Sequence, residues 1–194
     1  MKLATQEEAI ALLQAGSVGV IPTDTVYGLA ARAADEQAVT RLYALKNREN
    51  KPGTVIAANI QQLEELGIKH RYLSAVEQYW PNPLSIVIPT GPILNYLHQG
   101  KYSLAIRIPA DKKVRDMLEQ TGPLVTSSAN HPGKTPAETV EAAQAYFGDD
   151  VGFYLDGGDL SGRESSTVIR IIDDAIEVLR QGAYKIDENG HVGR

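Results

Sequence analysis

Apolar and polar positions alternate along this chain in two rhythms, and the rhythm changes about every ten residues. Ala9, Ile10, Leu12 and Leu13 fall on one helical face, Thr5 and Glu8 are spaced as a capping box, and Gly16 is placed to end the helix. The apolar run Val18–Ile21 predicts a strand. A second helix is expected from Glu36 to Leu45, with Val39, Leu42, Tyr43 and Leu45 inward. Thr54 to Ala58 reads as a strand, and Asn59 caps a short helix carrying Leu63 and Leu66. Ser74 with Glu77 predicts the opening of another helix that stops before Pro81. "LSIVIP" and "SLAIRIP" predict strands, residues 111–120 a helix, "PLVTSS" a strand running into a turn, and residues 137–147 a helix. "GFYLDGG", "STVIRII" and "AIEVLR" are three closing strands, the last two separated only by Asp173 and Asp174, which suggests an antiparallel hairpin.

Strands interleaved with helices predict an α/β domain, and the closing hairpin makes its sheet mixed. A twisted open mixed β-sheet with flanking helices is therefore the expected fold. One domain is expected over residues 1–184, followed by a polar, loose tail over 185–194. Open α/β sheets usually place ligands on loops at strand ends, so the functional residues are sought there.

Composition narrows the function. With 194 residues the chain suffices for one domain with a real core. It contains no cysteine, which excludes disulfides and thiolate metal sites and suits a reducing cytoplasm. No apolar run reaches the roughly 18 residues of a membrane helix. The first residues, "MKLATQEEAIALLQ", carry acids where a secretory signal is apolar, so no targeting segment is expected. A net charge of −5 and 6% aromatic residues argue against a broad nucleic-acid-coating surface but leave room for a local basic pocket.

Four strand ends carry candidate chemistry. Pro22-Thr23-Asp24-Thr25-Val26-Tyr27-Gly28 combines hydroxyls with a glycine that admits close backbone approach, although turn chemistry favours the same residues. Lys46 and Arg48 follow the second helix. They either complement its dipole or, if the helix stops near Leu45, converge on a polyphosphate. Arg107 lies in an apolar strand, sharing a face with Ser103 and Ala105, and needs an anionic partner there. That partner is either a protein carboxylate or a ligand's. "LVTSSANHPGKT" ends a strand in hydroxyls and an amide. From Ser128 to Thr135 it approaches a phosphate-binding P-loop, but serine replaces the first glycine and Pro132 and Pro136 stiffen the loop.

"PTDTVYGL", "LKNR", "WPNPLSIVI", "LAIRIP", "TSSAN" and "STVI", in this order and spacing, closely resemble the YrdC-like threonylcarbamoyl-adenylate synthases over about Val18 to Gly182. The resemblance implies a YrdC-like fold. It also implies a nucleotidyltransferase that makes threonylcarbamoyl-AMP and pyrophosphate from L-threonine, bicarbonate and ATP, with Mg²⁺ accompanying the nucleotide. The product feeds a tRNA modification through downstream tRNA threonylcarbamoyl transferase proteins. The family's roles fall on matching positions. Thr25, Arg107, Thr126 and Ser166 would hold threonine, Arg107 by its carboxylate. Lys46, Arg48, Ser103, Ser128, Asn130 and Arg180 would hold ATP, with Lys46 and Arg48 catalytic. The chain departs from the family pattern at Glu49, Asn82, Pro132 and Ser165. Two other readings remain open: a non-catalytic RNA-binding module with direct tRNA contact, and a P-loop phosphotransferase. None of the four histidines is at metal-ligand spacing, and all four are expected on the surface or in loops.

Overall fold

The computed structural model describes residues 2–47, 51–173 and 175–187. The strands are β1 Leu3–Ala4, β2 Gly19–Ile21, β3 Gly28–Arg32, β4 Thr54–Ile56, β5 Leu84–Pro89, β6 Ser103–Arg107, β7 Leu124–Ser128, β8 Phe153–Leu155, β9 Thr167–Ile172 and β10 Ala175–Arg180. The helices are α1 Gln6–Gln14, α2 Glu36–Leu45, α3 Ile60–Glu65, α4 His70–Leu73, α5 Asn95–His98, α6 Lys112–Thr121 and α7 Val140–Phe147. Local chemistry starts α1 and α3 where the sequence predicts, α6 within one residue and α7 three residues later, whereas α4 and α5 are unpredicted. Glu8 N–H donates to Thr5 Oγ1 at 3.2 Å while Thr5 N–H donates to Glu8 Oε2 at 2.9 Å, the reciprocal capping box of α1. Asn59 accepts from Gln62 N–H at 3.0 Å to open α3. Asp111 and Thr139 do the same for α6 and α7.

Among the described residues, the ten strands form one sheet in the order β1-β8-β2-β3-β7-β4-β6-β5-β9-β10. The sheet is mixed: β1–β8, β2–β8, β4–β6 and β5–β9 pair parallel, the other neighbours antiparallel. β9 and β10 make the expected hairpin. Asp173 takes a left-handed φ of 48° there, and Asp174 lies outside the described residues.

The two faces of the sheet are covered unequally. Val20, Leu29, Val55, Ile86, Leu104, Ile106 and Val125 pack with residues of α2, α3, α5 and α7 into the larger core. On the other face, among the described residues, α1 and α6 are the helices that contribute. Ala9, Ile10 and Leu13 of α1 and Val114, Met117 and Leu118 of α6 cover Ile21, Ala30, Ile56, Leu124 and Phe153. Each leucine fully buried there contributes on the order of 2 kcal/mol of apolar transfer. Strand alternation puts Gly28, Thr54, Ala105, Arg107, Thr126 and Ser128 on this second face, since Gly28 opposes Ser128, Thr126 opposes Thr54 and Thr54 opposes Ala105. The face is apolar where two helices cover it and hydroxyl-rich where they do not.

Several expectations change. β3 and β1 go unpredicted by the hydrophobic pattern. Gly28-Leu29-Ala30-Ala31 is buried on both sides, so it shows no alternation. Ser74 does not open a helix: it closes α4, and Glu77–Tyr79 forms a single 3₁₀ turn. His98 is not a surface residue. It lies in α5, fully buried, with Nδ1 accepting from Gly100 N–H at 3.1 Å and Nε2 facing the Gly91 carbonyl at 3.2 Å. His191 and most of the predicted tail lie outside the described residues, while Ile186 packs against the larger core.

Candidate active site

The uncovered part of the second face holds a cavity of about 220 Å³. Its walls are the Thr23–Gly28 turn between β2 and β3, Thr54 of β4, Ala105 and Arg107 of β6, Thr126 to Ser128 of β7, Ser165 and Ser166 before β9, and Arg180 at the end of β10. Two guanidiniums and many hydroxyls line it, and among the described residues no carboxylate does. Such a wall favours an anionic ligand.

The Thr23–Gly28 turn is held by its own side chains. Thr23 Oγ1 donates to the Val26 carbonyl at 2.7 Å and accepts from Thr25 N–H at 3.2 Å. Thr23 has one hydroxyl proton, and that proton is used. Thr25 Oγ1, 3.0 Å away, is therefore the donor to Thr23 and keeps its lone pairs for another partner. The Tyr27 hydroxyl is anchored at the other end of the turn. It accepts from Gly157 N–H and donates to the Gly158 carbonyl, each at 2.8 Å. A Cβ on Gly28 would stand 3.3 Å from the Ser127 carbonyl, so glycine suits the tight β3–β7 approach.

A line of polar contacts crosses the cavity floor. Arg180 Nη2 donates to the Ser166 carbonyl at 2.8 Å and to Ser166 Oγ at 3.1 Å. Ser166 Oγ lies 3.0 Å from Ser85 Oγ, and Arg107 Nη1 donates to Ser85 Oγ at 3.4 Å. Arg107 Nη2 then makes an ion pair with Asp24 Oδ1 at 3.0 Å, without hydrogen-bond geometry, and both side chains are buried. Of the two partners left open for Arg107, the protein carboxylate is present. Burial pushes the Arg107 pKa down, and the charge of Asp24 acts in the opposite direction. Arg107 Nε has no hydrogen-bond partner although it is buried.

The remaining sequence candidates distribute unevenly. Thr25, Arg107, Thr126, Ser128, Ser166 and Arg180 all line the cavity. Lys46 and Asn130 do not line it but adjoin it. Buried Lys46 donates from Nζ to Asn130 Oδ1 at 2.7 Å and also to the Asn130 carbonyl, while Ser128 Oγ donates to the same Asn130 Oδ1 at 2.7 Å. The helix does stop at Leu45, and Asn47 takes a φ of 46°, which turns the chain there. Ser103 begins β6 on the same face but outside the lining. Arg48 and Glu49 lie outside the described residues.

The expectation of loop-borne function is only half right: Thr54, Ala105, Arg107, Thr126 and Ser128 sit within strands. Sequence reasoning missed Asp24, Thr54 and Ser85 as parts of the site. Ser85 had a visible signal, a hydroxyl inside the apolar run of β5 and fully buried. The P-loop reading is corrected. β7 is antiparallel to both its neighbours, Lys134 is exposed, and α7 starts only at Val140, well beyond Thr135.

The comparisons with known proteins bear on the family and the fold. The Sua5_yciO_yrdC family, described as "Telomere recombination", matches residues 11–182. A protein of Photobacterium profundum named threonylcarbamoyl-AMP synthase is 36% identical over 186 residues, covering 91% of this chain and 98% of that protein. One of Pseudomonas putida with the same name is 33% identical over 180 residues, covering 91% and 96%. Among solved structures, Pyrococcus abyssi Sua5 complexed with L-threonine superposes with a TM-score of 0.82 at 29% identity, covering 92% of this chain and 54% of that one. This chain thus spans about half the length of the Pyrococcus protein. With most of its length matched by the family and by relatives above 30% identity, the chain belongs to the Sua5/YciO/YrdC family.

Proposed function

We infer that this chain is an L-threonylcarbamoyladenylate synthase, a nucleotidyltransferase acting on ATP, bicarbonate and L-threonine. The observation that carries the reading is the cavity, carboxylate-free among the described residues, in which Arg107 and Arg180 face a set of hydroxyls. The Pyrococcus relative is known as a complex with L-threonine.

Threonine's neutral amine combines with bicarbonate to give a carbamate and water. A carbamate oxygen then attacks the α-phosphorus of ATP and expels pyrophosphate. Such a reaction needs mainly orientation and neutralised charge. The Arg107 guanidinium at the cavity wall is suited to the threonine carboxylate, and Thr25 Oγ1 keeps lone pairs to accept from the substrate N–H. Thr126 Oγ1 donates to the Thr54 carbonyl at 3.1 Å, so it too presents lone pairs, and Ser166 stands beside the same guanidinium line. Arg180 and Ser128 of the cavity wall and the adjoining Lys46–Asn130 pair would take the nucleotide, together with Ser103 and Arg48, the latter outside the described residues.

Among the described residues no three carboxylate or imidazole groups converge, so the pocket offers no protein cage for a divalent ion. Mg²⁺ would arrive on the phosphates and keep most of its water, as it does in many nucleotide sites. No helix among the described residues is long and apolar enough to cross a membrane. We place the enzyme in the cytoplasm, handing its labile product to tRNA threonylcarbamoyl transferase proteins. The test is incubation of the purified chain with ATP, labelled bicarbonate and each amino acid in turn. Threonine-dependent pyrophosphate and a labelled acyl-AMP are expected, and no threonine-dependent pyrophosphate at any ATP concentration would overturn the reading.

A further inference from the structure

We propose that Asp24 is a positioning residue that presents Arg107 to the carboxylate of the amino-acid substrate; this rests on the role just given to Arg107. Asp24 lies in the turn between β2 and β3, where its neighbours Thr23 and Thr25 line the cavity and it does not. Its side chain points behind the wall instead, 2% exposed beside an Arg107 side chain 5% exposed. One carboxylate oxygen is hydrogen-bonded and the other faces the guanidinium. Oδ2 accepts from Ala110 N–H at 3.1 Å, which ties Asp24 to the chain leaving β6, and Oδ1 lies 3.0 Å from Arg107 Nη2.

The guanidinium is thus approached from two sides, by Asp24 at Nη2 and by Ser85 at Nη1. Arg107 still reaches the cavity wall, although its Nε is buried there without a protein partner. A guanidinium is planar, so contacts at two of its nitrogens set the orientation of the whole group toward the cavity. A buried charge without its counter-ion is strongly disfavoured, so Asp24 also keeps the cation in this site when the substrate is absent. Neither task brings Asp24 into contact with the reacting atoms.

Initial rates of pyrophosphate release by the full chain, with ATP and bicarbonate saturating and threonine varied, test the proposal. Asp24→Asn keeps the size of the side chain and an acceptor for Ala110 N–H but removes the charge. Its KM for threonine is expected to rise about tenfold or more, a larger change than the fall in kcat, with the KM for ATP within about twofold of the parent. Asp24→Glu restores the charge and is expected to recover part of the loss. An unchanged threonine KM in Asp24→Asn, or threonine and ATP KM values rising together, would overturn the proposal. Arg107→Gln separates the two levels of inference. If it leaves the threonine KM unchanged, the reading of Arg107 itself fails. If it raises the KM while Asp24→Asn does not, only the role of Asp24 fails. Should Asp24→Asn fail to fold, Asp24→Glu carries the test: a threonine KM above the parent's supports positioning, and the parent's value refutes it.

Discussion

Replacing Lys46 with methionine separates the structural work of this side chain from its chemical work. Lys46 is 5% exposed, and its ammonium donates to both the side chain and the carbonyl of Asn130. Hydrogen bonds from a charged donor are worth about 1.5–3 kcal/mol each, so the two together amount to about 3–6 kcal/mol. Methionine keeps the apolar stem packed and removes the need to desolvate a cation, which returns several kcal/mol. The difference leaves a net destabilisation of about 2 kcal/mol, or a Tm lowered by about 4–8 °C for a chain of this size. Asn130 would keep its contact with Ser128, so the fold should survive. If Lys46 has the role proposed above, offsetting phosphate charge that develops in the transition state, activity should suffer more than stability. A loss of about 10²–10³ in kcat is expected for such a donor. Urea unfolding followed by circular dichroism gives the first number and pyrophosphate release gives the second. A Lys46→Met protein with the parent's Tm and the parent's rate would refute both halves of the reasoning.

Three further perturbations probe other parts of the fold. A Cβ at Gly182 would stand 2.1 Å from the Ser165 carbonyl, a backbone atom at the cavity wall. Gly182→Ala should therefore cost about 1–3 kcal/mol in urea unfolding and lower activity through displaced Ser165 and Ser166; a parent-like protein would show that this crossing yields freely. Burial raises the pKa of Tyr154 to about 12, while an unfolded tyrosine titrates near 10. The folded state then holds the proton longer, so this contribution to stability is complete below about pH 10 and is lost as pH rises toward 12. Tyr154→Phe should flatten stability against pH in that window, and an unaltered slope would contradict the assignment. Thr5→Ala removes the capping box of α1 and should cost about 1 kcal/mol of stability, measured by thermal melting, without changing the threonine KM.

Much of the architecture is legible because its signals are local. The capping box at Thr5 and the cap at Asn59 act within one helical turn, and the alternation in β6 separates Leu104 and Ile106 from Ala105 and Arg107 without reference to anything distant. β3 escapes for the same reason in reverse. Its Ala30 faces α1 and its Leu29 faces the larger core, so burial on both sides erases the period that would reveal it. Ser74 misleads because its spacing to Glu77 is that of a cap, while the chain needs it to end α4. In the site, the hydroxyls of Thr25, Thr126 and Ser128 stand out by position, but the Asp24–Arg107 pair spans more than eighty residues and has no local signature.

The sequence by itself determined the kind and approximate bounds of most elements, the two faces of β6, and the set of residue types available for chemistry. These follow from periodicity and capping, which act over a few residues. Only the tertiary structure decided that β7 lies between β3 and β4, that α1 and α6 stop short of covering their face, and that Asp24 meets Arg107 in the space behind the open part. Those outcomes depend on how helices and strands far apart in the chain fill volume against each other. The cavity is the area of one sheet face that two helices are too few to cover.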